Sequence, residues 1–531
     1  MRSPTEAWCA TATLHWTPYS NEPMTLRIHR TFALCAILIL LVLVRPQRLV
    51  AQKSSYTVTM NDEDRRLAIV EARIETRDSV LTFYPDNYDS SHLADGWATF
   101  VREFSARDGA GRSITLPRAG RNQWAIPTGT LRPISLHYQL LVHHDQGYWP
   151  NGHDESAYAK RDCDCVFFTG MALFIGARDL RDIGVTFVLP GPHRVGGEPW
   201  RSVTPWEPGL SPNNYVAADF EDLSENCFVL GRLPTAEVKS GAALVTIAAG
   251  RGLPGSLPLF QHSVEASMNW ATRTFGAGAE GRFVAIANPD SYDGGGAFTH
   301  STSMLFLHPP SLKNRVEWGH IVAHEMIHLW NGRGIRFDPS EEWFKEGVTD
   351  YLSFKALLAT GQLTEDQFLH RIGASYGYYT EVAGQRLSLS AAGRNKSENS
   401  TLVYNGGEIF AMALDIELRK RTDGRCGIED LMSALYTPRH GSRTAVTSRE
   451  IISAANAVAA ADVSRLFAQY ANGTEVIPLA DVVGAAGLDV TKNSAASDPA
   501  HRYVVKRSRG ASAERLRIRR ALLARVIPSA R

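Results

Sequence analysis

The run His324-Glu325-Met326-Ile327-His328 places two imidazoles four residues apart with a carboxylate between them. On a helix, residues four apart project from one face. Two such imidazoles can hold one Zn2+ ion at about 2.0–2.1 Å each. Glu325 falls on the adjoining side of the turn, within reach of a water at that ion. The surrounding stretch is otherwise apolar, where uncompensated charge would be costly. A helix with two unrelated histidines is the plain alternative, and the motif by itself does not exclude it.

Eighteen residues after His328 comes Glu346, inside Glu342-Trp343-Phe344-Lys345-Glu346-Gly347. It falls on the next predicted helix, which a short turn can fold back against the first. Glu346 would complete a His-His-Glu set and leave a fourth position open for water. Its plain alternative is a surface glutamate. Asp350 lies one turn further on. There it would accept the second N–H of a ligand histidine, which fixes the tautomer and raises basicity. A solvent-facing aspartate is the alternative. The implied chemistry is metal-assisted hydrolysis, with Glu325 as the proton-transferring base.

Those residues need a helical scaffold. Leu312, Val316, Ala323, Ile327 and Trp330 share one helical face, with Ser311 as cap and Gly332 or Gly334 as stop. A second helix is predicted over 341–360, between Ser340 as N-cap and Gly361 as C-terminal stop. A third opens with the capping box Thr364-Glu365-Asp366-Gln367, and a fourth covers 407–421. Upstream the period is two. Val70, Ala72 and Ile74 alternate with Glu71, Arg73 and Glu75. Ile134, Leu136, Tyr138, Leu140 and Val142 alternate with Ser135, His137, Gln139 and, less cleanly, Leu141. Such alternation marks half-buried strands, and Asp108-Gly109-Ala110-Gly111 marks a turn. His137, His143 and His144 read as solvent-facing strand residues. The fold class is α+β. An N-terminal β-domain over 52–250 precedes a mainly helical region over 251–490 and a basic tail over 491–531.

Formal net charge is +1, so no overall field would draw nucleic acid. Hydrophobic residues make up 44%, enough for large packed cores. Sustained repeats are not evident, which argues against a solenoid. Arg27, His29 and Arg30 precede an apolar run over 32–44. That run is shorter than the roughly 20 residues of a membrane span. With Leu49-Val50-Ala51 after it, it reads as a signal peptide cleaved near Ala51, which makes the protein exported, periplasmic or extracellular. An uncleaved membrane anchor is the alternative. Met24 would start a signal of ordinary length, and 1–51 is excluded from the fold. Beyond it lie Cys163, Cys165, Cys227 and Cys426. A disulfide to Cys227 or plain buried thiols are preferred over a metal site at Cys163-Asp164-Cys165. In the tail, Arg515, Arg517, Arg519, Arg520 and Arg525 interleave with Leu516, Ile518, Leu522 and Leu523. A solvated terminus is expected, with weak contact to a membrane surface as the alternative.

Four runs carry a resemblance. They are His324 to Gly332, reading HEMIHLWNG; Trp343 to Tyr351, reading WFKEGVTDY; Tyr404-Asn405-Gly406-Gly407 leading into Leu414-Asp415-Ile416-Glu417-Leu418-Arg419; and Gly473-Thr474-Glu475 with Pro478-Leu479 and Ala486-Gly487-Leu488. The chain resembles the glycyl aminopeptidase family of gluzincin zinc metallopeptidases over about 56–490. The resemblance implies a thermolysin-like zinc catalytic domain behind a β-domain, acting on peptide or protein substrates. It also implies that Tyr404 hydrogen-bonds the oxyanion. On chemistry alone Tyr376, Tyr378 and Tyr379 are rivals for that role.

Two departures stand out. The family's Gly-Gly-Leu-Glu-His motif corresponds here to Gly294-Gly295-Gly296-Ala297-Phe298-Thr299-His300, without the carboxylate and with one residue added. Gly295, Gly296, Phe298 and Thr299 are the expected substrate contacts, along a strand edge over 297–307. Family members also often end in a PDZ domain, and only about 40 residues follow 490. Weakened aminopeptidase preference or endopeptidase activity follows from the first departure. A non-catalytic peptide-binding protein that keeps the zinc site, or a zinc hydrolase of non-peptide bonds, are the competing classes.

Overall fold

The computed structural model describes residues 53–524, apart from 61–66, 84–92, 143–157, 161–164, 192–197, 251, 277, 279, 291–292, 385–386 and 443. The predicted signal, His143, His144 and Cys163 lie outside the described residues.

The alternating runs form the first half as expected. Strands β1 (Ser55–Met60), β2 (Leu67–Ile74) and β3 (Ile134–Leu141) lie side by side in an eight-stranded sheet. Val70 opposes Tyr138 and Ala72 opposes Leu136, all buried, while Glu71 and Arg73 stay exposed. A slip of one residue would turn every apolar side chain outward, so the alternation sets this register. A smaller sheet holds β4 (Cys165–Thr169) and β5 (Cys227–Gly231), each buried throughout. Val166 and Phe168 point into the β-domain core, and Cys165 and Phe167 point into a second cluster with Val284, Ile286 and Phe298. This layer joins the two halves. Cys165 is disulfide-bonded. Cys227 and Cys426 keep thiols, so the expected pairing to Cys227 is not formed.

The second half rests on a five-stranded sheet: β6 (Thr235–Ser240), β7 (Ala243–Ala249), β8 (Gly281–Pro289), β9 (Gly294–Ala297) and β10 (Ser301–Phe306), in spatial order β6-β7-β8-β10-β9. Two of these precede residue 250, so the β-domain ends earlier than the alternation suggested. Periodicity identifies a strand but not its sheet, and β7 pairs in parallel with β8. Its edges are β6 and β9; β10 is not an edge, because it is covered by β8 and β9. The expected edge over 297–307 is thereby corrected to Gly294–Ala297.

Helices α1 (Leu257–Phe275), α2 (Arg315–Ile327), α3 (Glu342–Ala359), α4 (Glu365–Val382) and α5 (Gly407–Arg421) are among those of this half. The N-cap position of α2 is Asn314, and the Ser311 hydroxyl instead donates to the Asn314 side chain. Asp338 supplies the cap ahead of α3 by accepting from the Ser340 amide, displacing Ser340 from that role. The Thr364–Gln367 capping box forms. Phe344, Val348, Tyr351 and Leu352 bury α3 in the main core. Each such side chain contributes about 1.5–3 kcal/mol.

The tail is folded, against expectation. Leu488–Lys492 and Tyr503–Arg507 pair as a hairpin, and α6 (Ala513–Leu522) follows. Ile518, Leu522 and Leu523 enter the main core, and Lys355 Nζ donates to the Leu522 carbonyl at 3.2 Å. Arg515, Arg517 and Arg520 stay exposed. Three of the four apolar residues that a membrane-surface helix would present are therefore buried, and Leu516 is half-buried. No helix among the described residues is long and apolar enough to cross a membrane.

Candidate metal centre

Helix α2 carries His324, while His328 caps its end and Glu346 and Asp350 lie one turn apart on α3. The buried Asn331 ties the connecting turn to α3, donating to the Lys345 carbonyl at 3.0 Å and to Thr349 Oγ1 at 2.9 Å. Its own carbonyl lies 2.8 Å from His328 Nδ1 and so takes that N–H. Asp350 Oδ1 does the same for His324 Nδ1, also at 2.8 Å. Both Nε2 atoms are thus left with a lone pair facing the centre.

The three donors converge. His324 Nε2 and His328 Nε2 lie 3.4 and 3.3 Å from Glu346 Oε2, and 2.9 Å from each other. Tetrahedral zinc with bonds near 2.0–2.1 Å separates its ligands by about 3.3–3.4 Å. Two of the three separations match that figure and the third is tighter. Among the described residues His324, His328 and Glu346 form a buried potential metal set, and the donor chemistry fits zinc.

Electrostatics points the same way. Burial opposes charge on His324, yet hydrogen bonds to Asp350 and Glu346 outweigh it and push the ring up to about 10. Burial also resists ionisation of Asp350 and Glu346. His320 and His324 nevertheless hold Asp350 well below the usual carboxylate range. Lys396 and Lys345 do so for Glu346. A site that favours a proton this strongly favours any cation placed there.

The base sits against the edge strand. Glu325 Oε2 is 3.1 Å from Thr302 Oγ1, which donates to it or to the Gly296 carbonyl. A Cβ on Gly295 would lie 2.7 Å from Glu325 Oε1, so a side chain there would force the carboxylate to shift. Tyr404 occupies a π-helical turn, Leu402–Gly406, ahead of α5. Its ring centroid lies 6.1 Å from that of His324. Burial, then Glu346, raises its phenol well above the ordinary value, so it is a proton donor at neutral pH. Gly347 and Gly407 allow this approach: a Cβ on Gly347 would lie 2.3 Å from Gly407 Cα. The rivals are engaged elsewhere. Tyr376 Oη donates to the Ile477 carbonyl, Tyr379 Oη accepts from the Ile477 amide, and Tyr378 is solvent-exposed.

The expected substrate contacts divide. Gly295 and Gly296 lie on the edge strand. Phe298 is buried in the cluster between the halves, and Thr299 bonds Glu225 through its amide and its side chain. Both are held at the junction by packing or hydrogen bonds, and Phe298 also borders the cavity beside Glu325 and His328.

Sequence reasoning missed several partners. His320 lies four residues before His324, and its Nε2 reaches Asp350 Oδ1 at 2.8 Å, so the helical spacing could have found it. Thr302 and Lys396 had no local signal. Arg333 follows the motif closely. Burial lowers it to about 10 while Glu225, Glu325 and Glu346 pull the other way, and it remains charged at neutral pH.

Residues 55–232 match the Peptidase M61 N-terminal domain. Among solved structures the chain is similar to an aminopeptidase N family protein from Idiomarina loihiensis. Identity is 18%, the TM-score is 0.71, and the match covers 83% of this chain and 79% of that one. It is also similar to an M1 zinc metallopeptidase from Deinococcus radiodurans, at 13% identity and a TM-score of 0.50, over 81% and 94% of the two chains. At these identities the likeness is one of fold. No curated protein matches. The N-terminal domain match and the shared fold relate this chain to the gluzincin-type metallopeptidases.

Proposed function

We propose that the chain is an exported zinc-dependent peptidase. The observation that carries the reaction is the convergence of His324, His328 and Glu346 on one point flanked by Glu325 and Tyr404. Bound zinc supplies Lewis acidity, which acidifies water and polarises a carbonyl. Glu325 takes the proton of the attacking water as its oxygen joins the carbonyl carbon. The same carboxyl delivers that proton to the amine nitrogen as the C–N bond breaks. Tyr404 Oη donates to the oxyanion. The free edge of Gly294–Ala297 offers backbone groups to an extended peptide.

Resemblance argues for an aminopeptidase, but the edge strand has no carboxylate to hold a free amine. The reading is therefore a peptidase with a weakened demand for a free N-terminus, extending to endopeptidase activity. A binding-only protein is disfavoured because Glu325 is intact and held by Thr302. The test is cleavage of a peptide library by the full chain, with Glu325→Gln as control. Cleavage that chelator abolishes and zinc restores supports the reading. No cleavage by zinc-loaded protein overturns it.

A further inference from the structure

Glycines hold Arg333 beside the candidate centre. Its amide donates to the His328 carbonyl at 2.9 Å. Gly332 before it has φ 122°, and a Cβ on Gly334 after it would lie 2.5 Å from the Tyr436 ring. The turn is thus fixed on both sides, and the side chain lines a cavity with Ala297, Phe298, Thr302, Glu325 and His328. Ala297 ends the edge strand along which a peptide would lie, so this cavity adjoins the scissile bond.

A guanidinium offers five donors in a planar fork. Among the described residues that of Arg333 has no hydrogen-bond partner and no ion pair. Its neighbours in charge are all matched: Lys345 and Lys396 reach Glu346 at 3.3 and 3.0 Å, and Arg336 reaches Glu221 at 3.4 Å. Glu225 and Glu325 act on Arg333 through space without touching it. A half-buried fork without acceptors is poorly solvated, and a carboxylate satisfies it with two parallel charge-assisted bonds.

We propose that Arg333 is a specificity residue that binds a carboxylate of the substrate beside the scissile bond; this rests on the peptidase reading. The carboxylate comes from an acidic side chain or from a peptide C-terminus. Zinc-loaded full-length protein is assayed on peptide pairs that differ only in Glu or Gln at each residue flanking the cleaved bond. A second set compares free and amidated C-termini. In one set kcat/KM should favour the carboxylate by about 10- to 150-fold, the worth of a charge-assisted bond. The set that responds names the source. Arg333→Gln should remove most of that ratio, and Arg333→Lys should retain part of it.

Ratios near one in both sets, from a parent that cleaves neutral peptides, overturn this inference and leave the peptidase reading intact. A ratio unchanged in a folded Arg333→Gln protein also overturns it. If the variant does not fold, the parent's own ratio still decides. Failure to cleave any peptide sinks the peptidase reading, and this inference with it.

Discussion

Lys396 Nζ stands 3.0 Å from Glu346 Oε1, while Glu346 Oε2 faces the two histidines at 3.3 and 3.4 Å. Lys345 adds a second contact to Oε1 at 3.3 Å. The carboxylate is thereby split: one oxygen is bound by cations and the other is left to ligate. Partners of a ligand typically govern metal affinity by 10- to 100-fold. Lys396→Met should therefore weaken zinc binding by about that factor. His324→Ala should remove most of the metal. Zinc content and chelator competition read both, and unchanged affinity in Lys396→Met would show that Lys345 alone orients Glu346.

Base and donor roles separate by what each variant keeps. Glu325 contacts Thr302 and is not among the metal set, so Glu325→Gln should retain zinc and lose nearly all turnover. Tyr404→Phe should lower kcat by about 10²–10³ with little change in KM, as loss of one oxyanion donor does. A fully active Tyr404→Phe enzyme would remove Tyr404 from that role.

Two glycines are placed by close contacts, Gly295 with the Glu325 carboxylate and Gly347 with the Gly407 backbone. Gly295→Ala would press a methyl on the Glu325 carboxylate, so kcat should fall while zinc content holds. Gly347→Ala would force α3 from α5 at the Gly407 crossing. Overpacking of this kind costs about 1–3 kcal/mol or more. Thermal unfolding should show the Gly347 effect, and metal content with steady-state rates should show the Gly295 effect.

The grouping of His324, His328 and Glu346 was legible because identity and spacing alone put the two histidines on one helical face and Glu346 on the next helix. The fourth helix, over 407–421, was legible down to its ends. Residues whose meaning depends on a distant partner were not. Lys396 is 50 residues from Glu346, and Thr302 is 23 from Glu325. Sheet membership of β6 and β7, and the packing of Ile518 and Leu522, depend on surfaces assembled by other segments. No local period records such surfaces. The packing of Phe298 was hidden for the same reason: its partners Phe167 and Val229 come from the other half of the chain.

Glu408 offers a pH test away from the ligands. Burial pushes its carboxyl up to about 7, although Arg371 and Ser375 favour the charge. Its Oε1 has no partner, while Oε2 accepts from Ser375 at 2.5 Å. The folded state then holds a proton that the unfolded chain releases near the ordinary glutamate value of about 4.3. The folded protein binds more protons, so this group's contribution to stability falls as pH rises from about 4.3 to about 7. Glu408→Gln should flatten the pH dependence across that window. Denaturation midpoints at pH 5 and pH 7.5 for both proteins check this, and parallel profiles would refute it.

An ammonium drawn into a cleft needs a paired carboxylate, or it is left poorly solvated. The edge strand Gly294–Ala297 has none. Asp293, just before it, already accepts the Leu307 amide at 2.8 Å. Glu225, an acid of the β-domain, bonds Thr299 through its side chain and lies in the field of Arg333. Each candidate anchor is thus engaged with a partner of its own. The expected preference for a free over an acetylated N-terminus is below about 100-fold in kcat/KM, inside the 1.5–3 kcal/mol range of one charge-assisted bond. One peptide in both forms suffices for the measurement. A larger preference would mean that a carboxylate, with Glu225 the first to mutate, leaves its partner to hold the amine.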